Sequence, residues 1–307
     1  MLLFADYTAQ DYFKENGATL FPAAEVNITR TCLTYLSFDA FRGQCNVNLF
    51  RGYHPYQYKR STSDVAHQYP LLDYAAVYWG HHARSNEEST SDVIRDFLSH
   101  KPNVAYATAV LLEHNYRWHA LRTDFGEIHL LSFFGLEKAM SELLKNRHPA
   151  DSRDSWGQTP LSHAAVGGRV EIVRLLLTRD DVDMNSKDKN GRSPLSYAAE
   201  NRHLGVVQLF LAQVGIDVDA KDGYGRSPLS HAARNGHLGV VQLFSVRVEV
   251  HVNAKDEDGR SPLSYAAENG HLGVVQLFLA RVGIDVDAKD GYGQSPLSHA
   301  ADRKSVV

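Results

Sequence analysis

Sixteen histidines in a chain of 307 residues are the first candidates for chemistry. Imidazole carries protons near neutral pH and is a common metal ligand. His163, His231 and His299 recur at one place in a periodic pattern, with Tyr197 and Tyr265 alternating there. Tyrosine does not replace a zinc ligand in alternate copies of a metal site, so this spacing predicts a packing or contact position. His203, His237 and His271 recur at a second place, after a helix-breaking turn, and are expected to be structural hydrogen-bonders. His81-His82 adjoins Trp79, but the pair lacks the further ligands that a metal site needs. Asp217-Val-Asp219-Ala-Lys-Asp222-Gly223 starts with the acid spacing of a calcium loop. Its third acid comes one residue late, and Pro228 stands where the closing glutamate belongs. Asp180-Asp181 reads as a solvated loop.

No Gly-x-x-x-x-Gly-Lys-(Ser/Thr) phosphate loop, no Gly-x-Ser-x-Gly elbow and no His-Glu-x-x-His pair occurs. Cys32 and Cys45 form no C-x-x-C pair and are expected to be free thiols. No catalytic residue, cofactor or metal site is expected; a site hidden in the N-terminal third is the remaining enzymatic reading. The net charge of −4 gives no basis for broad nucleic-acid or anionic-membrane affinity. Apolar residues make up 43% and charged residues 22%, as in a folded chain. No apolar stretch is long enough to span a bilayer, and the segment from Met1 to Asp6 has no basic n-region. A cytoplasmic protein is expected, in which the Asn27-Ile-Thr29 sequon stays unmodified.

The periodic pattern explains the histidine spacing. Ser-Pro-Leu-Ser begins at Ser193, Ser227, Ser261 and Ser295, and Thr159-Pro-Leu-Ser162 precedes them, always 34 residues apart. Each copy predicts the same elements. A polar turn such as Lys221-Asp-Gly-Tyr-Gly225 supplies glycines for positive φ. Serine or threonine then caps a helix, and proline takes its first position. In one copy that helix runs from Leu229 to about Arg234, with Leu229, Ala232 and Ala233 inward. Gly236 breaks the chain, and a second helix runs from about Leu238 to Phe244. Gly215 and Gly283 are expected to stop the second helix in neighbouring copies. One unit cannot bury its apolar faces alone; stacked units bury them against each other, as a solenoid.

The pattern Gly-x-(Ser/Thr)-Pro-Leu-x-x-Ala-Ala-x-x-Gly-His-Leu-x-Val-Val-x-Leu-x-Leu resembles the ankyrin repeat, over roughly residues 127–307. The resemblance implies an all-α chain: a helical N-terminal connector, then an ankyrin solenoid with short β-turn tips. The boundaries expected are 1–125 for the connector, 126–152 for a degenerate first repeat, four repeats at 153–186, 187–220, 221–254 and 255–288, and a truncated one at 289–307. The usual family histidine after Pro-Leu is serine here (Ser162, Ser196, Ser230, Ser264, Ser298), which is expected to weaken a contact between the first turns. Ser193–Ala233 and Ser261–Ala301 differ at three of 41 positions, a duplicated two-repeat block. Near-identical surfaces suit a repetitive or extended partner; recent duplication without selection for binding explains them equally. Arg202 replaces an inter-helix glycine and is expected to be strained. Ser245-Val-Arg-Val-Glu249 lacks the leucine and glycine of its siblings, which predicts the softest unit. Phe133 and Phe134 of the degenerate repeat are expected to face a neighbouring domain. The last unit has no second helix, which exposes an apolar face and offers a route to self-association.

Residues before about 125 do not repeat. Helices are expected at Ala5 to about Glu15, Ala23 to about Leu36, Pro70 to about Ala83, Thr90 to about Ser99 and Val104 to about Glu113, with a looser stretch from Arg42 to about Val65. Tyr35, Phe38, Phe41, Tyr74, Tyr78 and Trp79 are expected in the core. Phe4-Ala-Asp-Tyr-Thr-Ala-Gln-Asp-Tyr-Phe13, Thr31-Cys-Leu-Thr-Tyr-Leu-Ser-Phe38 and Leu72-Asp-Tyr-Ala-Ala-Val-Tyr-Trp-Gly-His-His-Ala-Arg84 resemble the segment after the NTPase of fungal NACHT–ankyrin proteins. That resemblance implies a connector between a nucleotide switch, which this chain does not contain, and an ankyrin sensor.

In such a stack the turn tips and the outer positions of the first helix line a concave face. Here these are Trp156, Gln158 and His163; Lys189, Asn190, Arg192, Tyr197 and Glu200; Tyr224, Arg226, His231 and Arg234; Glu257, Asp258, Arg260, Tyr265 and Glu268; and Tyr292, Gln294 and His299. Aromatic residues and arginine dominate interface energy, so a ladder of Trp156, Tyr224 and Tyr292 is the expected contact row. The function expected is non-catalytic protein binding, as the partner-recognition part of a NACHT–ankyrin-like receptor. The alternative is an intramolecular arm that restrains a nucleotide switch.

Overall fold

The computed structural model describes residues 23–41, 69–115, 124–146 and 148–304. Every regular element among them is helical. The chain divides into two compact units, Met1–Leu143 and Leu144–Val307. This division falls within residues 126–152, where the sequence leads one to expect a degenerate first repeat.

In the first unit, α1 (Ala24–Leu36) packs against α2 (Leu72–Ala83) and α3 (Glu87–Ser99), and α4 (Lys101–Asn115) packs on α2. These match four of the helices that periodicity predicts; the expected helix at Ala5–Glu15 and the loose stretch after Arg42 lie outside the described residues. The core holds Leu33, Leu36, Phe41, Trp79, Ile94, Phe97 and Leu111. Of the six aromatic residues expected there, Phe41 and Trp79 are fully buried, and Tyr35 is half-buried. Phe38, Tyr74 and Tyr78 are instead exposed: Phe38 lies beyond the end of α1, and Tyr74 and Tyr78 lie together one turn apart on α2, their ring centroids 5.1 Å apart. Buried Asn103 donates to the main-chain oxygens of Leu36 (2.8 Å) and Phe38 (3.0 Å), closing the free end of α1.

The degenerate repeat forms α5 (Glu127–Phe134) and α6 (Glu137–Lys145). Phe134 meets Trp79 edge-on, with centroids 5.0 Å apart. It lies so close to Gly80 that a Cβ there would stand 2.1 Å from the ring, so this position admits no side chain. Phe134 thus packs on α2.

The second unit stacks helix pairs: α7 (Pro160–Val166) and α8 (Val170–Leu177), α9 (Pro194–Glu200) and α10 (Leu204–Leu211), α11 (Pro228–Arg234) and α12 (Leu238–Ser245), α13 (Pro262–Glu268) and α14 (Leu272–Leu279), then α15 (Pro296–Lys304). The first helices pack in one row and the second helices in another. Leu161, Leu195, Leu229 and Leu263 fill the first row; Leu176, Phe210, Phe244 and Phe278 fill the second. Small alanines such as Ala232 and Ala233 let the rows approach. Thr159, Ser193, Ser227 and Ser261 each accept the amide of the residue three ahead at 3.2 Å, a cap that contributes about 1 kcal/mol. The serine in the family's histidine place keeps a local contact, because its hydroxyl bonds the capping hydroxyl at 3.0–3.2 Å.

Two expectations about turns resolve differently. Every full second helix stops after eight residues, and α10 ends at Leu211, before Gly215. Gly215 (φ +84°) shapes the following loop and does not terminate the helix; α12 stops in register although Glu249 stands in that place. Arg202, by contrast, does hold a left-handed φ of +63°. At the equivalent Gly168 and Gly236 a Cβ would stand 2.4 Å from the next repeat's histidine ring. Arg202→Gly is therefore expected to raise stability by about 1 kcal/mol, after subtracting the extra freedom of glycine in the unfolded chain. A urea midpoint that falls, or stays unchanged, contradicts this.

Candidate interaction surface

Each tip is built around one aspartate, a role that the sequence pattern alone does not assign. Asp222 Oδ1 accepts the amides of Tyr224 and Arg226, both at 2.9 Å, which folds the turn onto its own side chain. Its Oδ2 meets His231 Nε2 at 3.0 Å and Arg226 Nε at 3.2 Å, with both the His231 and Asp222 side chains buried. Asp154 with His163 (3.0 Å) and Asp290 with His299 (2.8 Å) repeat the pair. In the alternate repeats Tyr197 donates to Asp188 at 2.6 Å, and Tyr265 donates to Asp256. Histidine N–H and tyrosine O–H are interchangeable as donors to a carboxylate, which explains their alternation. The signal in the sequence was an aspartate nine residues before each His or Tyr.

This arrangement corrects part of the expected contact face. His163, His231, His299, Tyr197 and Tyr265 are buried and turned to the tip carboxylates. Gln158 is buried as well, donating to the Tyr197 hydroxyl across a repeat seam. All six side chains are thus buried, and withdrawing a His or Tyr donor would leave an unpaired carboxylate at a costly burial. Arg192 pairs with Glu200 (2.7 Å) and Arg260 with Glu268 (3.1 Å), both half-buried. Arg226 lies over the Tyr224 ring, 4.5 Å from its centroid. Trp156 is half-buried. Tyr224 and Tyr292 stand out at 62% and 76% exposure, and Lys189, Asn190, Glu257, Asp258 and Arg234 are also exposed.

The apexes are joined in one line. Lys189 N donates to Trp156 O (2.9 Å), Gly223 N to Asn190 O (2.7 Å), Glu257 N to Tyr224 O (3.0 Å) and Gly291 N to Asp258 O (2.7 Å). Gly191 sits at φ +73°, and a Cβ there would stand 2.7 Å from Gly223 N, so the ladder requires glycine. On the flank, Lys187, Lys221 and Lys255 each reach the main-chain oxygen of the equivalent lysine one repeat on, at 2.8, 3.0 and 2.8 Å. His203, His237 and His271 bridge back to Val166 O, Glu200 O and Arg234 O at 2.8, 2.8 and 2.9 Å, the structural role their spacing predicts.

The electrostatics set a pH window. Burial alone would push the Asp222 carboxyl up, but hydrogen bonds from His231 and from the Arg226 and Tyr224 amides outweigh it and hold it well below the usual range. Asp290 is lowered in the same way, against burial, by the Gln294 amide and His299. Burial, then the bond to Asp188 or Asp256, pushes the Tyr197 and Tyr265 phenols up from 10.0. A depressed carboxylate stabilises the fold above its unfolded pKa and loses this as pH falls. A raised phenol stabilises below its unfolded pKa and loses this as pH rises. The urea midpoint is expected to plateau near neutrality, fall below about pH 4 and fall again above about pH 10. Tyr197→Phe/Tyr265→Phe should flatten the alkaline limb relative to wild type; an unchanged limb refutes the assignment.

Other chemistry is sparse among the described residues. No group of three or more His, Cys, Asp or Glu residues is placed to hold a metal. In the sequence that begins like a calcium loop, Asp219 Oδ2 binds His251 and Asp222 faces inward, so the acids do not converge. His82 bonds the Tyr74 hydroxyl (2.8 Å) and Glu25 (2.6 Å), a relay on an exposed helix face. The Tyr74 phenol is pushed up by burial and then by nearby Cys32 and Glu25, the opposite of what activates a nucleophile. Burial pushes the Cys32 thiol up to about 11, so it stays protonated. No described helix is long and apolar enough to cross a membrane.

A comparison with curated protein sequences finds no match. The family described as ankyrin repeats, in three copies, matches residues 128–222 and 229–307, more than half of the chain. That match begins within α5 and takes in the helix pairs, tip aspartates and histidine bridges described above, apart from residues 223–228, and on it the chain belongs to the ankyrin-repeat family.

Proposed function

We propose that the chain is a non-catalytic binding module that recognises a protein through its row of turn tips, with Tyr224 and Tyr292 as anchors. Ankyrin repeats are general protein-interaction modules, and the finer reading rests on one observation. The hydrogen-bonded apex ladder holds two largely exposed tyrosines on a rigid line, so little ordering entropy is lost on docking. Large exposed aromatics on a fixed backbone suit interface hot spots. The strings Thr31–Phe38 and Leu72–Arg84, which form α1 and α2, support a place in a fungal NACHT–ankyrin-like receptor of the cytoplasm. The alternative, an arm restraining a nucleotide switch, uses the same surface within one longer product.

The test is a displayed peptide and protein library selected on the immobilised chain. Binders are expected to lose about tenfold or more in affinity on Tyr224→Ala/Tyr292→Ala. Selected binders that are all indifferent to both substitutions would refute the reading. Transcript mapping separates the two forms: an in-frame phosphate-binding loop upstream favours the restraining arm.

A further inference from the structure

The five apexes carry a pattern that the repeat itself does not require. Tips Lys187–Arg192 and Lys255–Arg260 immediately precede the two copies of the duplicated block and agree except at their two apex residues. There Lys189-Asn190 becomes Glu257-Asp258, so the charge reverses at two exposed apex positions. The flanking Lys, Asp, Gly and Arg are unchanged. Tyr224 stands midway between these two tips, and Trp156 and Tyr292 stand one tip beyond them on either side. Read along the ladder, the apexes are aromatic, basic, aromatic, acidic and aromatic.

Reversing that order keeps every aromatic apex opposite an aromatic one and sets basic opposite acidic. A surface with this property is complementary to itself about a twofold axis, the isologous geometry of most homodimers. We propose that the tip row docks a second copy of this chain, antiparallel, with the two Tyr224 rings at the axis. Lys189 of each copy meets Glu257 and Asp258 of the other, and Trp156 meets Tyr292. A parallel alignment would set like charges opposite, so the pattern selects the antiparallel one. The flank lysines do not compete for the acidic apex, since Lys187, Lys221 and Lys255 are held on main-chain oxygens of their own stack. The inference rests on the tip row being a contact surface and names its occupant.

Sedimentation equilibrium of the full chain tests it, with circular dichroism as the folding control for these exposed substitutions. Wild type is expected to form a dimer that weakens as salt rises. Lys189→Glu makes tips two and four of one copy both acidic, and Glu257→Lys/Asp258→Lys makes them both basic. Each variant alone should dimerise about tenfold more weakly or worse, because two symmetric attractions become repulsions. Mixed together they should form a one-to-one heterodimer, and the triple swap in one chain should restore the homodimer. Charge variants that dimerise like wild type, or a mixture that does not associate, overturn the proposal. A dimer lost on Leu297→Asp but kept in the charge variants also overturns it, and assigns association to the last repeat, where Leu297 is 77% exposed. A monomeric wild type whose selected binders still depend on Tyr224 removes the second copy while leaving the binding face intact.

Discussion

Replacing Asp222 with alanine is expected to cost about 3–5 kcal/mol, the largest effect of any single polar change in the array. The carboxylate is fully buried and serves four donors: two main-chain amides, the Arg226 guanidinium and His231. Alanine leaves the two amides without a turn acceptor and strands His231 beside Glu200, 3.8 Å away. Asn keeps the oxygen that holds both amides but turns an NH2 donor toward Arg226 and His231, so Asp222→Asn should cost less than alanine while still losing the two side-chain bonds. Asp217→Ala, on an exposed loop nearby, should cost less than about 0.5 kcal/mol. Urea midpoints with far-UV circular dichroism provide the comparison. If Asp222→Ala and Asp217→Ala prove equal, the tip aspartate is not the keystone that its bonds indicate.

Phe244→Ala should cost a similar amount, about 3–5 kcal/mol, by a different route. The side chain has no exposed area and lies in the second-helix row, so truncation leaves a cavity at two seams at once. A solenoid is a chain of nearest-neighbour couplings, and a weakened interior unit uncouples the repeats on either side of it. The unfolding curve of Phe244→Ala is expected to broaden or split, not merely to shift. Val248→Ala, four residues on and 96% exposed, should be silent within about 0.5 kcal/mol. The unit that carries Ser245 in place of a leucine still completes an eight-residue second helix. A single unshifted transition for Phe244→Ala would mean that the stack does not share one apolar seam there.

The helical architecture was legible because the relevant forces are local. Proline at the first helical position and a hydroxyl before it specify where each first helix starts, and the 34-residue spacing fixes how often. The left-handed turns were legible at the glycines and at Arg202. The candidate surface was half legible. Tyr224 and Tyr292 were found as exposed tips, whereas His163, His231, His299, Tyr197, Tyr265 and Gln158 were assigned to the same face and are inside. A polar side chain at a regularly varying position looks the same in sequence whether it faces solvent or a buried acceptor.

The sequence by itself determined the repeat length, the caps, where each first helix of a repeat starts and the ankyrin pattern, since each follows from neighbours within a few residues along the chain. Only the tertiary structure decided which polar groups face inward. Burial is conferred by the adjacent repeat, and the acceptor of each His or Tyr lies nine residues back, brought close only when the tip folds. The continuous apex ladder was likewise hidden, because its hydrogen bonds join residues about one repeat apart and exist only once the units stack.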